Sequence, residues 1–485
     1  MGTWQHGAAA ALFGVGTAEI LAALWQTGSP VDAAGKLVVD SGPRPVVERT
    51  VKYLRAADKP AIRALVAGTA VGAGAVLGRA DRSLPRDLAV TAAGAAGSAL
   101  ALRRRGASDA AGGPQPARAL GTAAAGGLAM LLALSMPPRG APALALVGGG
   151  ALTAAFRARK RQLSRHDTAR GAGELKVVRP LPPARDGAES WPGVSPLMTP
   201  PHDFYVTDVA MRPPLVHPDT WRLDITGACA SPLRLSYAQV LARDLVEFDA
   251  VLSCVHNRLG WGRLGNQRWT GLPLRDLIDE VVPHAAAGFL VTRATDGWEC
   301  TLPLDLVRTL DAYVVVGMAG HPLSAAHGFP ARVFVPGIYG QFTGAKWLTE
   351  LRLTEHPNQD YWLPRGWPRE PVPVRPTARI DTPAAGRLPS STPVVWAGVA
   401  WAPPYGVEAV EVRVDGGPWQ TAELAAELAP AAWRRWRLPL FPPPGPHTIQ
   451  ARCAGRGGVL QSAVPREPFP TGASGYHTVA VTTTA

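Results

Sequence analysis

Apolar residues follow two different patterns along the chain, and the pattern changes near residue 160. Before that point, five Ala- and Gly-rich apolar stretches are separated by breaks that contain Arg or Pro, at residues 7–25, 62–78, 87–102, 119–136 and 141–156. A membrane-spanning helix needs roughly 20 apolar residues, and small residues let such helices pack closely. A soluble Ala-rich bundle is the alternative, but it should show polar stripes at helical period, and these stretches show none. The pattern predicts an all-α transmembrane domain of about five helices over residues 1–160.

Basic residues concentrate in the same part of the chain. Of the formal net charge of +12, residues 1–160 contribute +10, from 18 Lys and Arg against 8 Asp and Glu. The clusters at residues 103–105 and 157–161 each adjoin an apolar stretch, where positive residues set membrane topology. Basic clusters can also indicate nucleic-acid binding, but this placement favours a lipid bilayer as the partner, and we expect no nucleic acid.

Ionisable and metal-binding side chains are scarce in this half. Glu19 lies inside the first apolar stretch, where a charged group either has a function or sits near an interface and pairs with a residue such as Arg63. A haem between helices normally needs ligands such as two histidines, and an iron–sulfur cluster needs cysteines. His6 is the one histidine before residue 161, and the first cysteine is Cys229. We therefore expect no haem or iron–sulfur cluster, and interpret the domain as an anchor or docking platform.

The second half alternates apolar and polar residues over short stretches, a pattern typical of β-strands. Residues 161–190 are charged and then rich in Pro and Gly, which predicts a linker. Over residues 191–372 strand-like stretches alternate with short helical ones, which predicts an α+β domain. Over residues 373–485 strands follow at sandwich spacing, with a hairpin turn at residues 415–417, which predicts an immunoglobulin-like β-sandwich.

The four cysteines at positions 229, 254, 300 and 453 form no CxxC pair and fit no zinc cluster. Cys229 and Cys300 stand in strand-like stretches, as buried small apolar residues do. Cys254 ends an apolar run and is followed by Asn257, Arg258 and several glycines, which permit close approach of a large ligand. A nearby Arg also favours the thiolate. The residues alone leave four roles open for Cys254: core residue, nucleophile, half of a disulfide, or metal ligand.

Five stretches, in order along the chain, resemble the sulfite-oxidase-type molybdenum enzymes. They are SCVHNRLG (253–260), GNQRWTGLPLRDLI (265–278), HGFPARVFVPGIYG (327–340), GAKWLTELRL (344–353) and YWLPRGW (361–367). The resemblance covers about residues 190–485, and the first half resembles the anchor of actinobacterial membrane-bound members. It implies a membrane-anchored, molybdopterin-dependent oxidoreductase that catalyses two-electron oxygen-atom transfer on a small oxo-substrate. Sulfite oxidation and sulfoxide reduction both stay open, and an inactive membrane-tethered binding protein is the alternative.

The resemblance also implies a cofactor, molybdenum–molybdopterin, with Cys254 as the thiolate ligand of the metal. Positions that match the family's cofactor contacts are His202, His256, Asn257, Arg332, Gly340, Thr343 and Lys346. Residues 337–346 would form the loop that closes on the pterin, and cationic side chains suit its phosphate. The alternative for Arg332 and Lys346 is a pair of solvated charges at strand ends.

The resemblance is incomplete at the substrate pocket, which the family builds from several arginines. Leu259 stands at one arginine position, and Pro200 and Pro201 stand before His202 where the family often shows Arg-Asn-His. Arg258, our catalytic candidate, or Arg365 would have to replace the missing charges. The resemblance further implies a separate electron-transfer partner, cytochrome or quinone-linked, and leaves a homodimer through the C-terminal domain open.

The side of the membrane on which the catalytic domain lies is predicted differently by two arguments. With five spans, Lys and Arg concentrate on the side that receives the chain after residue 157, which the positive-inside rule makes cytoplasmic. The family resemblance favours the extracytoplasmic side. The sequence predicts a multi-pass membrane protein, with a slight preference for a cytoplasmic catalytic domain.

Overall fold

The computed structural model describes residues 3–25, 29–41, 58–79, 116–135, 138–170, 175–343, 345–360, 362–389 and 394–484. The chain divides into two compact units. The first comprises Met1–Arg170 together with Asp208–Leu215 and Thr295–Gly297. The second comprises Gly171–Thr207, Val216–Ala294 and Trp298–Ala485, so the predicted α+β domain and the predicted sandwich lie in one unit.

Helices form the first unit. They are α1 (Thr3–Leu24), α2 (Pro30–Ser41), α3 (Asp58–Arg79), α4 (Pro116–Ser135) and α5 (Ala141–Arg170), with a 3-10 turn at Pro138–Gly140. Helix α1 packs against α3, α4 and α5. A Cβ atom on Gly16 of α1 would lie 2.2 Å from the carbonyl oxygen of Gly148 on α5, so only glycine allows this approach of the two backbones.

Two of the described helices are long and apolar enough to cross a membrane, Gln5–Leu24 and Ala141–Asp167. Thr122–Ser135 is apolar but shorter. The predicted stretch at residues 87–102 lies outside the described residues. The expected N-terminal helices are thus confirmed, whereas five membrane spans stay a prediction.

Two helical segments differ from the expectation. Helix α2 occupies Pro30–Ser41, between the first two apolar stretches, because its apolar residues follow a helical period between charged ones. Helix α5 continues to Arg170, ten residues into the predicted linker. Its last fourteen residues contain no Gly or Pro and many Arg, Lys and Gln, which favour helix even without an apolar face.

Glu19 is buried in the helical unit, and its partners differ from those expected. Its carboxylate accepts hydrogen bonds from the Ser29 hydroxyl at 2.7 Å and the Val31 N–H at 2.9 Å. Arg159 approaches to 3.8 Å. Arg63, which we considered as the partner of Glu19, instead pairs with Asp32 at 2.6 Å. The Ser29 and Val31 donors lie at the start of α2, so Glu19 receives donors that the helix itself leaves unsatisfied.

Two sheets and short helices form the first half of the second unit, which confirms the α+β prediction. The strands are β1 (Val177–Arg179), β2 (Arg222–Gly227), β3 (Leu233–Ser236), β4 (Leu245–Ser253), β5 (Leu264–Pro273), β6 (Phe289–Ala294), β7 (Glu299–Pro303), β8 (Tyr313–Met318), β9 (His321–Pro322), β10 (Arg332–Phe334) and β11 (Leu348–Thr354). The helices are α6 (Tyr237–Leu241), α7 (Leu274–Glu280), α8 (Leu304–Thr309) and α9 (Gly340–Thr343), with 3-10 turns at Ala325–His327 and Leu363–Arg365.

The first sheet has the strand order β1-β4-β5-β8-β10, with β9 beside β8, and the second has the order β3-β2-β11-β6-β7. One buried apolar cluster contains Val251 and Val314 of the first sheet, Ile225 and Leu351 of the second, and Leu277 of α7. The two sheets therefore share a core, and helix α7 helps to close it.

The C-terminal half of this unit is β-rich and consists of two further sheets. Its strands are β12 (Thr377–Thr382), β13 (Gly386–Pro389), β14 (Val394–Trp401), β15 (Val407–Val414), β16 (Gln420–Thr421), β17 (Glu423–Leu424), β18 (Arg434–Leu440), β19 (Gly445–Gly455), β20 (Val459–Leu460) and β21 (His477–Thr484), with a 3-10 turn at Arg456–Gly458. The sheet orders are β12-β14-β18-β17 and β13-β21-β19-β15-β16, with β20 beside β19.

Side chains from both of these sheets meet in one buried cluster, which includes Trp396, Trp436, Val410 and Ile449. The hairpin predicted at residues 415–417 is confirmed. Asp415 and Gly416 have φ values of 50° and 71°, and β15 pairs with β16 in antiparallel register. An immunoglobulin-like topology stays a prediction.

Residues 177–186 of the predicted linker are bound to the fold. Strand β1 pairs in parallel with β4, and the Leu181 N–H donates to Glu247 at 2.8 Å. The guanidinium of Arg435, on β18, donates two hydrogen bonds to the carboxylate of Asp186, and both side chains are buried. An extended, Pro-rich segment leaves its backbone groups available for pairing, so it adds to a sheet edge instead of staying in solvent.

Asp186→Ala should lower the free energy of unfolding by about 3 kcal/mol, because it leaves the Arg435 charge buried without a partner. The measurement is urea unfolding of the detergent-solubilised chain, followed by tryptophan fluorescence.

The control is Glu423→Ala, which removes the partner of Arg437 on the same strand. That pair is also bidentate, at 2.7 and 2.9 Å, but it is exposed. We expect a loss below about 1 kcal/mol. Equal losses in the two variants would contradict a special role for the buried pair.

Candidate functional site

Cys254 lies where strand β4 leaves the sheet. The last five residues of β4 are buried, and Ser253 pairs with Leu264 of β5. The Cys254 N–H donates to the Arg263 carbonyl at 2.9 Å, and the Asn257 N–H donates to the Cys254 carbonyl at 2.9 Å. The Asn257 side-chain oxygen accepts from the Arg263 N–H at 2.9 Å. We call residues 254–263 the cysteine loop, and Asn257 holds it closed at its base.

The Cys254 side chain is 7% exposed. Burial raises the pKa of its thiol above the ordinary value, while the His256 N–H, the Arg263 charge and the Thr207 hydroxyl act in the opposite direction. The cation near the thiol is thus Arg263, whereas the sequence had suggested Arg258. The thiol is protonated at neutral pH until a further positive charge, such as a metal ion, favours the thiolate.

A second loop, of which residues 337–343 and 345–347 are described, lies beside the end of β4, where the cysteine loop begins. A Cβ atom on Gly340 would lie 3.4 Å from the Tyr205 hydroxyl and 3.5 Å from the Ser253 carbonyl. Desolvation raises the pKa of Tyr205 well above its ordinary value, and Cys254 raises it further, whereas Arg332 and Arg263 lower it. The phenol of Tyr205 is therefore within electrostatic range of the thiol and of both guanidinium groups.

Three consecutive carbonyls organise the basic side chains of this site. The Ala325 carbonyl accepts a hydrogen bond from the Trp347 indole at 2.6 Å. The Ala326 carbonyl accepts from the Lys346 ammonium at 3.0 Å, and the His327 carbonyl accepts from the Arg332 guanidinium at 3.4 Å. His327 itself is buried, and its Nε2 lies 3.1 Å from the Pro201 carbonyl. The 3-10 turn Ala325–His327 thereby brings Arg332 and Lys346, fourteen positions apart, to one place.

Arg332 is 5% exposed, yet its hydrogen-bonding capacity is not used up. Within the described residues, its Nε atom has no hydrogen-bond partner, and the same is true of the Thr343 hydroxyl and the side-chain amide of Gln341. Burial lowers the pKa of Arg332 to about 10, which still leaves the group charged at neutral pH. Buried polar atoms normally have partners, so these donors fit a polar, anionic group that the protein itself does not supply.

The remaining predicted site residues have different surroundings. The Arg258 guanidinium pairs with the carboxylate of Glu467 and lies 5.5 Å from the Trp261 ring. The His256 ring packs edge-on against Trp367, with 5.1 Å between centroids. The side chain of His202 is 80% exposed and lies 3.4 Å from Asp203. Its role in pterin binding stays a prediction.

Two of the three glycines that follow Cys254, Gly260 and Gly265, pack against protein groups, whereas a Cβ atom on Gly262 would meet no atom within 4 Å. A Cβ atom on Gly265 would lie 2.5 Å from the ring of Phe204, and one on Gly260 would lie 2.3 Å from the ring of His477. Gly344 and Tyr361, which stand in two of the motifs, lie outside the described residues.

Sequence reasoning missed four residues of this site: Tyr205, Arg263, His327 and Tyr339. Burial raises the pKa of Tyr339 to about 12, and Cys254 contributes to the shift. His327 opened one of the motifs, so its position was a signal that we did not use. Tyr205 had no signal, because its contact with Gly340 spans more than a hundred residues.

The model of the oxidoreductase molybdopterin binding domain matches residues 210–362. The oxidoreductase YuiH of Bacillus subtilis is 31% identical over 147 residues, which cover 30% of this chain and 72% of YuiH. Rat mitochondrial sulfite oxidase is 29% identical over 292 residues, and the human enzyme is 28% identical over 302. The match to the rat enzyme covers 49% of this chain and 52% of that enzyme. The match to the human enzyme covers 52% of this chain and 55% of that enzyme. The chain therefore spans about half the length of these two enzymes.

Among solved structures, the sulfane dehydrogenase SoxCD of Paracoccus pantotrophus matches with a TM-score of 0.51 at 20% identity. The match covers 59% of this chain and 84% of the SoxCD chain. At this identity the likeness concerns the fold, which extends well beyond residues 210–362.

Proposed function

Since the chain belongs to the molybdopterin oxidoreductases of the sulfite oxidase family, we propose that it binds one molybdenum–molybdopterin between the cysteine loop and residues 337–347 and catalyses two-electron oxygen-atom transfer on a small oxo-substrate. The observation that carries this proposal is the buried, incompletely bonded Arg332 guanidinium beside Lys346 and the buried thiol of Cys254. A buried cation without a matched anion is costly, and a bound phosphate would remove that cost.

Each residue then has a defined task. Cys254 would serve as the thiolate ligand of the metal, with the Arg263 charge, the Thr207 hydroxyl and the His256 N–H stabilising the anion. Arg332 and Lys346 would hold the phosphate, and the buried Thr343 hydroxyl would be a further donor. The bound group supplies the two-electron redox chemistry, while the protein orients it and excludes water. A separate cytochrome or quinone-linked partner exchanges the electrons, and a homodimer through the C-terminal domain is part of the same proposal.

Cys254→Ser should abolish turnover, because a hydroxyl is a poor substitute for a thiolate at a soft metal. Wild-type protein should contain about one molybdenum per chain, and the variant should lose the metal while it keeps some pterin. Elemental mass spectrometry measures the metal, and fluorescence of the oxidised pterin measures the organic part.

Cys229→Ser is the matched control, because Cys229 is another buried cysteine of the same domain. It should keep its molybdenum. A wild-type protein without molybdenum, expressed in cells that make the cofactor, would falsify the proposed function.

Arg332→Met should lower pterin occupancy roughly tenfold or more, because it removes charge-assisted hydrogen bonds to the phosphate. The same substitution should leave the cofactor-free protein as stable as before or more stable, since an apolar side chain replaces a buried charge. Pterin content and thermal unfolding of cofactor-free protein are the two measurements.

The control is Arg352→Met on β11, another arginine whose Nε has no hydrogen-bond partner within the described residues. It should keep its pterin. If Arg332→Met keeps full pterin and only melts earlier, the guanidinium has a structural role and does not hold the phosphate.

We also propose that the helical half anchors the protein in the membrane and that the catalytic half lies on the cytoplasmic side. The apolar part of helix α5 leads directly into the basic residues 157–161, and positive residues favour the cytoplasmic end of a span. The candidate spans Gln5–Leu24 and Ala141–Asp167 support the anchor by length and composition.

A tag placed after Ala485 should therefore survive protease added to intact spheroplasts and be lost after lysis. The protein should remain with the membrane after an alkaline wash and dissolve only in detergent. Loss of the tag without lysis would place the catalytic half outside and show that charge does not set the orientation.

A further inference from the structure

A segment of the C-terminal half covers the cysteine loop. We call residues 465–477, which join β20 to β21, the strap. The Gly472 N–H donates to the Pro468 carbonyl at 2.7 Å, and Arg466 and Ser474 exchange backbone hydrogen bonds at 3.0 and 3.3 Å. These bonds close the strap on itself, so it forms an ordered loop that can present a side chain at a defined position.

The strap is attached to both loops of the site. A Cβ atom on Gly475 would lie 3.3 Å from Leu259, and Gly260 lies against the ring of His477. A Cβ atom on Gly472, whose φ is +85°, would lie 2.3 Å from the Tyr339 hydroxyl. Only glycine at position 472 allows the strap to approach this closely.

Two further contacts extend the attachment. Phe469 packs edge-on against Trp367, with 4.7 Å between ring centroids. The Arg375 guanidinium donates to the carbonyl and the hydroxyl of Thr471, both at 3.0 Å. The strap therefore has a fixed position over the cysteine loop.

The position of the strap places an acidic side chain next to an arginine of the cysteine loop. Arg258, four residues after Cys254, pairs with Glu467 of the strap. The side chain of Arg258 is 27% exposed and that of Glu467 is 68% exposed, so the carboxylate is the more accessible of the two. The other two arginines of the site have different neighbours. The charge of Arg263 acts on the Cys254 thiol, and Arg332 donates a hydrogen bond to the His327 carbonyl.

We propose that Glu467 is a specificity-determining residue that cancels the charge of Arg258 and selects an uncharged oxo-compound, such as a sulfoxide, against an oxyanion such as sulfite. The cysteine loop contains two arginines, Arg258 and Arg263, and the carboxylate of Glu467 pairs with Arg258. A carboxylate at this place repels anions, and built-in repulsion is a common source of specificity. This inference rests on the proposed function, because it concerns the substrate side of the same site.

Sulfate is a suitable probe, because it is an inert oxyanion and its binding requires no catalysis. The detergent-solubilised full chain is titrated with sulfate by calorimetry, with tryptophan fluorescence as a second readout because Trp261 adjoins Arg258. Glu467→Gln should bind sulfate about fivefold more tightly than wild type, the effect of releasing one partly exposed ion pair. The double variant with Arg258→Gln should lose this gain.

The control is Glu280→Gln, which releases Arg243 from an ion pair in the same domain, at 2.6 and 3.0 Å. The side chain of Arg243 is 28% exposed, which matches that of Arg258. It should bind sulfate as wild type does. No gain in Glu467→Gln, an equal gain in the control, or a gain that survives loss of Arg258 would each overturn the proposal.

The titration also separates this inference from the proposed function. If the protein contains no molybdenum but Glu467→Gln still binds sulfate about fivefold more tightly, Glu467 does cancel the charge of Arg258. The proposed molybdenum-dependent activity would then be wrong. In molybdenum-containing protein, Glu467→Gln should lower the KM for sulfite and leave the KM for dimethyl sulfoxide unchanged. Equal changes in both KM values would show that the strap acts through structure alone.

Discussion

The antiparallel pairing of β4 with β5 is the constraint on which the site depends. Eight residue pairs, from Val246–Gly271 to Ser253–Leu264, hold the two strands in register. Cys254 is the first residue beyond that ladder, so the sheet determines where the thiol lies. Asn257 then closes the cysteine loop on Arg263, and the loop cannot move without breaking bonds at its base. Sites built on strand ends keep their geometry better than sites on free loops.

Buried charge next to a buried thiol is the energetic problem that this arrangement creates. Arg332 is held by the neutral His327 carbonyl, which satisfies part of its hydrogen bonding but supplies no counter-charge. Elsewhere in the same unit, the buried Arg435 has the carboxylate of Asp186, and the partly buried Arg268 has that of Asp249 at 2.8 and 2.9 Å. The contrast supports the proposal that Arg332 binds an anionic ligand, because an unmatched buried cation contributes nothing to folding that a neutral side chain would not.

Sequence patterns predicted those parts of the fold that depend on local periodicity. Strands β4, β6, β8 and β19 follow from alternation, and the β15–β16 hairpin follows from residues 415–417. Strand β5 escaped prediction, because Gly265 and Gly271 resemble turn residues until Phe204 and Val314 are seen packed against them. The basic end of α5 was predicted to be a linker for the opposite reason. Its residues have high helix propensity, but the apolar pattern that indicates a helix ends before them.

In the site, too, sequence motifs predicted individual residues but not the long-range contacts between them. Cys254, Arg332 and Lys346 came from motifs, and the structure brings the last two together at one turn. The partner of Arg258 could not be predicted, since Glu467 lies about two hundred positions away in a different pattern of strands. Long-range pairs of this kind carry no periodic signal, and a single sequence contains no covariation that would reveal them.

The C-terminal half cannot be treated as an appended module, because it is bonded to the strands that carry Cys254. The Val251 N–H of β4 donates to the Ala431 carbonyl at 2.9 Å, and the Trp433 N–H donates to the Asn266 side chain of β5 at 3.2 Å. Trp401 and Trp433 also belong to the same buried cluster as Val251. Since β4 and β5 position the thiol, and the strap positions Glu467 on Arg258, both the geometry and the outer charge of the site depend on the C-terminal half. A change in that half therefore acts on the chemistry through two separate physical routes, packing and charge.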